Sequence, residues 1–237
     1  VNETVAMGMA GLTDIESLSG SLAQRVYQSL REAILSLALP PGTVLKKGAL
    51  CEQLGVSRSP VSEAIARLSQ EGLVDVIPQS ATRVSSFSME EIREACFLRE
   101  ALETTAVEKV ARQRTEEQLT QLSRNVRLQR LLVEDGDFSG FYTADEEFHE
   151  LIMEFTGFPG VSLVAGNVSL QLKRARMLLL PEEGRPAGAV KEHQRVLDAI
   201  RAGDPAAAQA AMKAHLRQLI PRLEPLERLH PEYFRSR

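Results

Sequence analysis

The sequence predicts a mainly α-helical chain: an N-terminal winged helix-turn-helix with a small β-hairpin wing, followed by an all-α helical bundle. Three observations predict it. Two short helical patterns joined by Gly55-Val56-Ser57 precede a pair of short alternating runs. From Ser88 onward the apolar spacing is helical nearly throughout. With 43% hydrophobic residues but no Trp and only 5% aromatics, the cores must be built from Leu, Val, Ile and Ala.

A length of 237 residues accommodates two compact domains. The expected division is a mobile tail over 1–20, a winged unit over 21–87, a helical domain over 88–225 and a second tail over 226–237. The net charge of −4 argues against a nucleic-acid partner only if it is spread evenly, and it is not. Residues 21–87 carry seven Lys/Arg against five Asp/Glu, so the basic part is N-terminal. Cys51 and Cys96 fall in separate candidate domains with no second Cys nearby, so neither a disulfide framework nor a thiolate zinc cluster is suggested, and a reducing cytoplasm fits. No apolar run approaches the ~18 residues of a membrane span, and the first twenty residues lack the basic start of a secretory signal.

Within the winged unit, Leu22, Val26, Leu30, Ile34 and Leu37 step by four and three and define a first amphipathic helix from Ser21 to Leu37, stopped by Pro40-Pro41-Gly42. A second helix over Lys47–Leu54 ends at Gly55. A third begins where Ser59 can cap and Pro60 can take the first helical position. In that third helix Val61, Ile65 and Leu68 form the buried stripe, leaving Arg58, Ser59, Ser62, Ala66 and Arg67 on a small, basic outer face. A recognition helix needs such a surface, because bulky or acidic side chains would keep it out of a major groove. Leu73 to Ile77 then alternates like a strand, Pro78 to Ala81 turns, and Thr82-Arg83-Val84 returns as the second strand of the wing.

Pro41-Gly42, Leu45, the run Leu54 to Val61, Glu63-Ala64, Arg67-Leu68 and Glu71 to Val74 together resemble the DNA-binding domain of the GntR family of transcription regulators. The resemblance covers some 65 residues without gaps. It implies that Arg58, Ser59, Ser62 and Arg67, with Arg83 of the wing, meet double-stranded operator DNA. The chain departs from the family pattern at Ser62 and Gly48, where arginine is usual, and at the wing tip Ser80-Ala81, where glycine is common. Losing two arginines removes candidate guanine contacts worth about 1–3 kcal/mol each in discrimination. For Arg58 and Arg67 the competing reading is a solvated surface charge.

In the helical region, breaks at Gly136, Gly157–Gly160, Pro181–Gly188 and Gly203-Asp204-Pro205 leave about six helices. Ser88 to Glu91 caps the first, whose buried stripe is expected to include Leu98, Leu102 and Ala106. The informative feature is polar residues at apolar positions. Phe141, Asp145, Phe148, His149 and Ile152 form one stripe, Val190, His193, Leu197 and Ile200 another, and Ala208, Ala211, His215 and Leu219 a third. If Gly203-Asp204-Pro205 closes an antiparallel helix pair, His193 and His215 each stand eleven residues from Asp204, ~16 Å from the turn at 1.5 Å per residue, and so lie at one height. Asp145 and His149, four apart on an earlier helix, can complete the group. One carboxylate and three imidazoles suit zinc, nickel or another divalent metal; the competing reading for each histidine is a satisfied core residue.

The order Asp145-x-x-x-His149, Glu192-His193, Gly203-Asp204-Pro205 and His215 resembles the FCD effector domain of the FadR-type branch of the same family. That resemblance implies a metal at Asp145, His149, His193 and His215, and beside it a pocket for a small organic acid. Arg99, in the Leu98–Glu103 segment, matches a family arginine and is the first candidate to pair with the acid, with an ion pair to Glu103 as the equal alternative. Arg174 is the second candidate, against plain exposure. Because one recognition helix covers few base pairs, a homodimer on a roughly palindromic site is expected. The family role implies a ligand-responsive regulator, a repressor in its commoner form. Two rivals stay open: a metal-responsive regulator, and a metal-dependent hydrolase, for which the stripes show no dedicated general base.

Overall fold

The computed structural model describes residues 11–179 and 184–235. Its contacts divide the chain into two compact units, one formed by the residues up to Met89 with those from Leu226 onward, the other by Glu90–Pro225.

The first unit contains α1 (Leu22–Leu35), α2 (Lys47–Leu54), α3 (Arg58–Gln70), β1 (Val74–Val76) and β2 (Thr82–Val84). Ser21 caps α1 through its hydroxyl, and Leu37, with φ +61°, ends the first helix two residues earlier than the apolar spacing suggests. α2 stops at Gly55, whose φ of +64° is a left-handed value that glycine adopts without steric cost. α3 starts at Arg58 with Ser57 at the cap, not at Pro60 with Ser59 capping. Pro60 is tolerated inside because the first-turn amides have no intrahelical acceptor to lose. Val61, Ile65 and Leu68 are buried as expected and α3 packs on α1. The wing strands pair antiparallel with Val74 opposite Val84 and Val76 opposite Thr82, and Val44 bridges to Arg83 beside them.

Both presumed tails have structure. Residues 1–10 lie outside the described residues, but 11–20 are held on α1. Ile15 is buried, the Ser29 hydroxyl donates to the Thr13 carbonyl at 2.7 Å, and Arg25 donates to the Ile15 carbonyl at 3.1 Å. At the other end, a 3-10 turn over Pro231–Tyr233 leads into Phe234, which lies parallel to Phe87. The Phe87 amide donates to the Tyr233 carbonyl at 2.8 Å and the Arg235 amide donates to the Phe87 carbonyl at 2.7 Å. The two phenyl rings, both buried, stand 5.5 Å apart. Two aromatics too far apart in sequence to be paired by periodicity thus supply the apolar contact that orders the segment.

The second unit is built from α4 (Met89–Gln113), α5 (Glu116–Glu134), α6 (Phe138–Glu154), α7 (Pro159–Met177), α8 (Arg185–Ala202), α9 (Pro205–Leu216) and α10 (Leu219–Leu229), the first and last of which also run into the other unit. One break the glycines and prolines did not mark is at Thr115, where a capping box with Gln118 starts α5. Its core joins α4, α5, α6, α8 and α9 through residues such as Val107, Leu122, Phe148, Val196 and Met212. α4 presents Ile92, Arg99, Glu103, Ala106 and Val110 inward. Leu98 is 41% exposed rather than buried, since it stands one residue, about 100°, out of that phase. Among the described residues no helix is long and apolar enough to cross a membrane.

Candidate nucleic-acid interface and metal centre

At the start of α3, Arg58 and Ser59 are exposed and Ser62 is half-buried beside them, while Arg83 is exposed on β2. Arg67, also exposed on α3, is held differently. Its guanidinium lies 3.7 Å from the centre of the Tyr27 ring, and its Nε is 3.6 Å from Glu71. The Tyr27 hydroxyl donates to the same carboxylate at 2.6 Å, and Arg31 approaches it at 3.4 Å. Burial, then the Glu71 carboxylate, pushes the Tyr27 hydroxyl pKa up. Arg67 therefore fastens α3 to α1 by a cation–π contact, whereas Arg58 and Arg83 carry guanidinium groups without such an anchor.

In the second unit α6, α8 and α9 bring His149, His193 and His215 together, all buried. The Nε2 atoms of His193 and His215 are 3.2 Å apart, and those of His215 and His149 3.3 Å. The equal heights deduced for His193 and His215 correspond to the first of these distances. Each Nδ1 is occupied elsewhere: His149 meets Glu103 at 2.6 Å, His193 meets the Gln129 carbonyl at 2.8 Å, and His215 meets Glu192 at 2.7 Å. Those partners accept only, and Gln129 is oriented by donating its amide to Asn125 at 2.7 Å. Every Nδ1 therefore carries the proton and every Nε2 presents a lone pair to the same point. Three lone pairs at this spacing repel unless a cation lies among them. Two Zn–N bonds of 2.0–2.1 Å at a tetrahedral angle would hold their nitrogens about 3.3 Å apart, so the donor set fits a divalent ion. Burial, followed by the mutual proximity of the histidines, holds His193 and His215 well below the usual imidazole pKa, which keeps them in the ligand-competent neutral form.

Asp145 is buried on the same face of α6, with one oxygen 3.7 Å from His193 Nε2 and the other in an ion pair with Arg176. It stands next to the three imidazoles, though outside their mutually close group. Beside them is a cavity of about 50 Å³ bordered by Arg99, Tyr142, Asp145, Arg176, Arg185 and His215. Arg99, at the border of this cavity, is buried and donates its Nε–H to Glu103, the ion pair expected as its alternative. Arg185 donates to Glu192 at 3.1 Å. Burial pulls the Arg176 pKa down to about 10, which leaves it charged at neutral pH. Arg174 is fully buried, contrary to the exposure weighed for it, and does not border the cavity. Residues two apart on a helix diverge by about 200°, so Arg176 borders the cavity where Arg174 does not. Gln129, Arg176 and Arg185 escaped the sequence reading, and Glu103 entered it only as a partner of Arg99, since no local pattern links these residues to the histidines they serve.

Two family patterns match: "Bacterial regulatory proteins, gntR family" over residues 22–84 and "FCD domain" over residues 94–218. The chain is a GntR-family transcription regulator of the FCD type. Among curated relatives of this regulator, an HTH-type transcriptional regulator in an unstable DNA locus of Streptomyces ambofaciens is 35% identical over 209 residues, covering 88% of each chain. The HTH-type transcriptional repressor RspR of Escherichia coli is 27% identical, over 89% of this chain and 92% of its own. The gluconate operon transcriptional repressor of Bacillus licheniformis is 27% identical, over 75% of this chain and 72% of its own. In fold, the GntR-family regulator is similar to E. coli McbR/YncC, with a TM-score of 0.73, 24% identity and coverage of 88% and 99% of the two chains. A GntR regulator structure from Rhodococcus gives a TM-score of 0.74 at 22% identity, covering 87% and 99%.

Proposed function

We propose that this regulator is a homodimeric repressor in the cytoplasm whose affinity for a roughly palindromic operator is set by a small organic acid bound beside a divalent metal in the helical unit. The observation that carries the reading is the three-imidazole cluster, in which His215 Nε2 lies 3.2 Å from His193 Nε2 and 3.3 Å from His149 Nε2, flanked by a cavity with three arginines. His149, His193 and His215 hold the ion, with Asp145 as the additional carboxylate; zinc and nickel suit the donors best. Bound there, the ion supplies a positive charge that draws an anionic group into the cavity. Arg99, Arg176 and Arg185 recognise the acid's carboxylate.

In the first unit Arg58, Ser59 and Ser62 read the operator's major groove and Arg83 follows the backbone from the wing, with Arg67 reaching phosphate from its place on Tyr27. Repression is favoured because RspR and the gluconate operon protein are named repressors. The acid acts by binding one of two states of the dimer better than the other. The test is fluorescence anisotropy on a genomic fragment selected by the purified protein, with zinc or nickel and a panel of small acids. A bound acid should change operator affinity by roughly 5- to 150-fold. Equal affinity with and without an acid that demonstrably binds overturns the allosteric reading, and a change produced by the metal alone makes the ion itself the signal.

A further inference from the structure

All three arginines that border the cavity are tied to the histidine cluster, and each tie runs through a carboxylate. Arg176 pairs with Asp145, whose other oxygen faces His193. Arg99 donates to one oxygen of Glu103, and the second oxygen accepts the His149 Nδ1 proton at 2.6 Å. Arg185 donates to Glu192 at 3.1 Å, and Glu192 accepts the His215 Nδ1 proton at 2.7 Å. His193 alone of the three histidines has a neutral partner at Nδ1, Gln129, and meets its carboxylate, Asp145, from the Nε2 side.

We propose that Glu103 and Glu192 are positioning residues that couple the acid to the metal, each carrying the occupancy of an arginine on one side to the basicity of an imidazole on the other. This rests on the reading of the cavity and cluster given above. A carboxylate shared between two donors divides its charge between them. When an acid in the cavity takes up the remaining donors of Arg99 and Arg185, each guanidinium is neutralised in part and holds its glutamate less strongly. More of the glutamate's charge then falls on the Nδ1–H of His149 and His215, and their Nε2 atoms become stronger donors. The acid therefore tightens the hold on the metal, and by linkage the metal tightens the hold on the acid by the same factor. Glu103 is 3% exposed, so water does not screen this exchange. The arrangement also excludes a half-loaded response: neither ligand alone reaches the affinity it has with the other.

The experiment is a titration of the full-length protein with zinc held at defined free concentration by a chelator, with and without saturating acetate, lactate or malonate. In the wild type the acid that binds should raise zinc affinity by roughly 5- to 150-fold. Glu103→Gln and Glu192→Gln should each lower zinc affinity by roughly 10- to 100-fold and bring the acid-dependent ratio towards unity. A second readout needs no variant: in 15N-histidine-labelled, zinc-loaded wild type, the acid should move the Nδ1–H resonances of His149 and His215 further than that of His193, whose Nδ1 partner Gln129 carries no charge to redistribute. Coupling that survives in both variants, or equal shifts at all three histidines, overturns the proposal. Zinc and acid that bind without influencing each other overturn it too, while leaving the proposed function standing. A wild type that takes up no zinc removes that function as well.

Discussion

The two units of this regulator use charge in opposite ways. The winged unit keeps Arg58 and Arg83 outside, in solvent, and Arg67 is likewise exposed though anchored on Tyr27. The helical unit buries His193, Glu103 and Asp145 almost completely, and each is matched there to a named partner. An outward arginine gains its free energy by releasing counterions to a partner. An inward histidine gains it by being oriented in advance, so that little reorganisation remains when a ligand binds.

The contrast can be broken most directly at the buried end. His193→Ala should abolish the stabilisation by metal, which for the wild type amounts to about 2.7 kcal/mol at a hundredfold excess over Kd. Thermal melts with zinc and with chelator would show it; a metal-dependent shift that persists in the variant means the imidazoles are only core residues. The next effect concerns pH. His193 and His215 are held well below their ordinary value of 6.5 in the folded chain, so above that value both states are neutral and nothing is contributed. As pH falls below 6.5 the unfolded chain binds protons that the folded one refuses, and stability is lost down to the folded pKa. The slope is up to about 1.4 kcal/mol per pH unit for each withheld proton. Urea unfolding of metal-free protein between pH 7.5 and about 5 measures this, and a flat profile contradicts it.

At the exposed end Arg58→Ala should weaken operator binding by about 1–3 kcal/mol if it reads a base, or flatten the salt dependence by nearly one unit if it meets phosphate. Unchanged binding on both counts would move the interface off α3. The smallest effect is expected at Arg67. Replacing it with Ala should cost about 0.5–1 kcal/mol of folding stability through the Tyr27 contact, visible in denaturant midpoints even in the absence of DNA. A loss seen only in DNA binding would return Arg67 to the class of Arg58.

How far each region could be read from sequence follows the same division. The body of α3 was legible because an outward face needs only local chemistry, an apolar stripe and small basic residues between, whereas its start lies at Arg58 rather than at the Pro60 that the expected Ser59 cap implied. The histidine cluster was legible as far as helix phase carries, through Asp145 and His149 four apart and through the symmetry of His193 and His215 about Asp204. Its partners were not, because Glu103 lies 46 residues from His149 and Gln129 lies 64 from His193. Phase itself failed where the apolar stripe is weak. α7 places its leucines on more than one face, Leu163 exposed and Leu172 buried, so nothing local distinguished Arg174 from Arg176. On α4 the inward positions are partly Arg99 and Glu103, and an apolar stripe drawn through Leu98 necessarily rotates away from them.

The clasp between Phe87 and Phe234 bears on how the molecule can be taken apart. A fragment ending near Met89 would contain both wing strands and all three helices of the reading head, yet it would lose the Phe234 ring and the backbone hydrogen bonds that Tyr233 and Arg235 make with Phe87. Grafting the winged module onto another sensor with this clasp intact therefore means carrying residues 231–235 along with it.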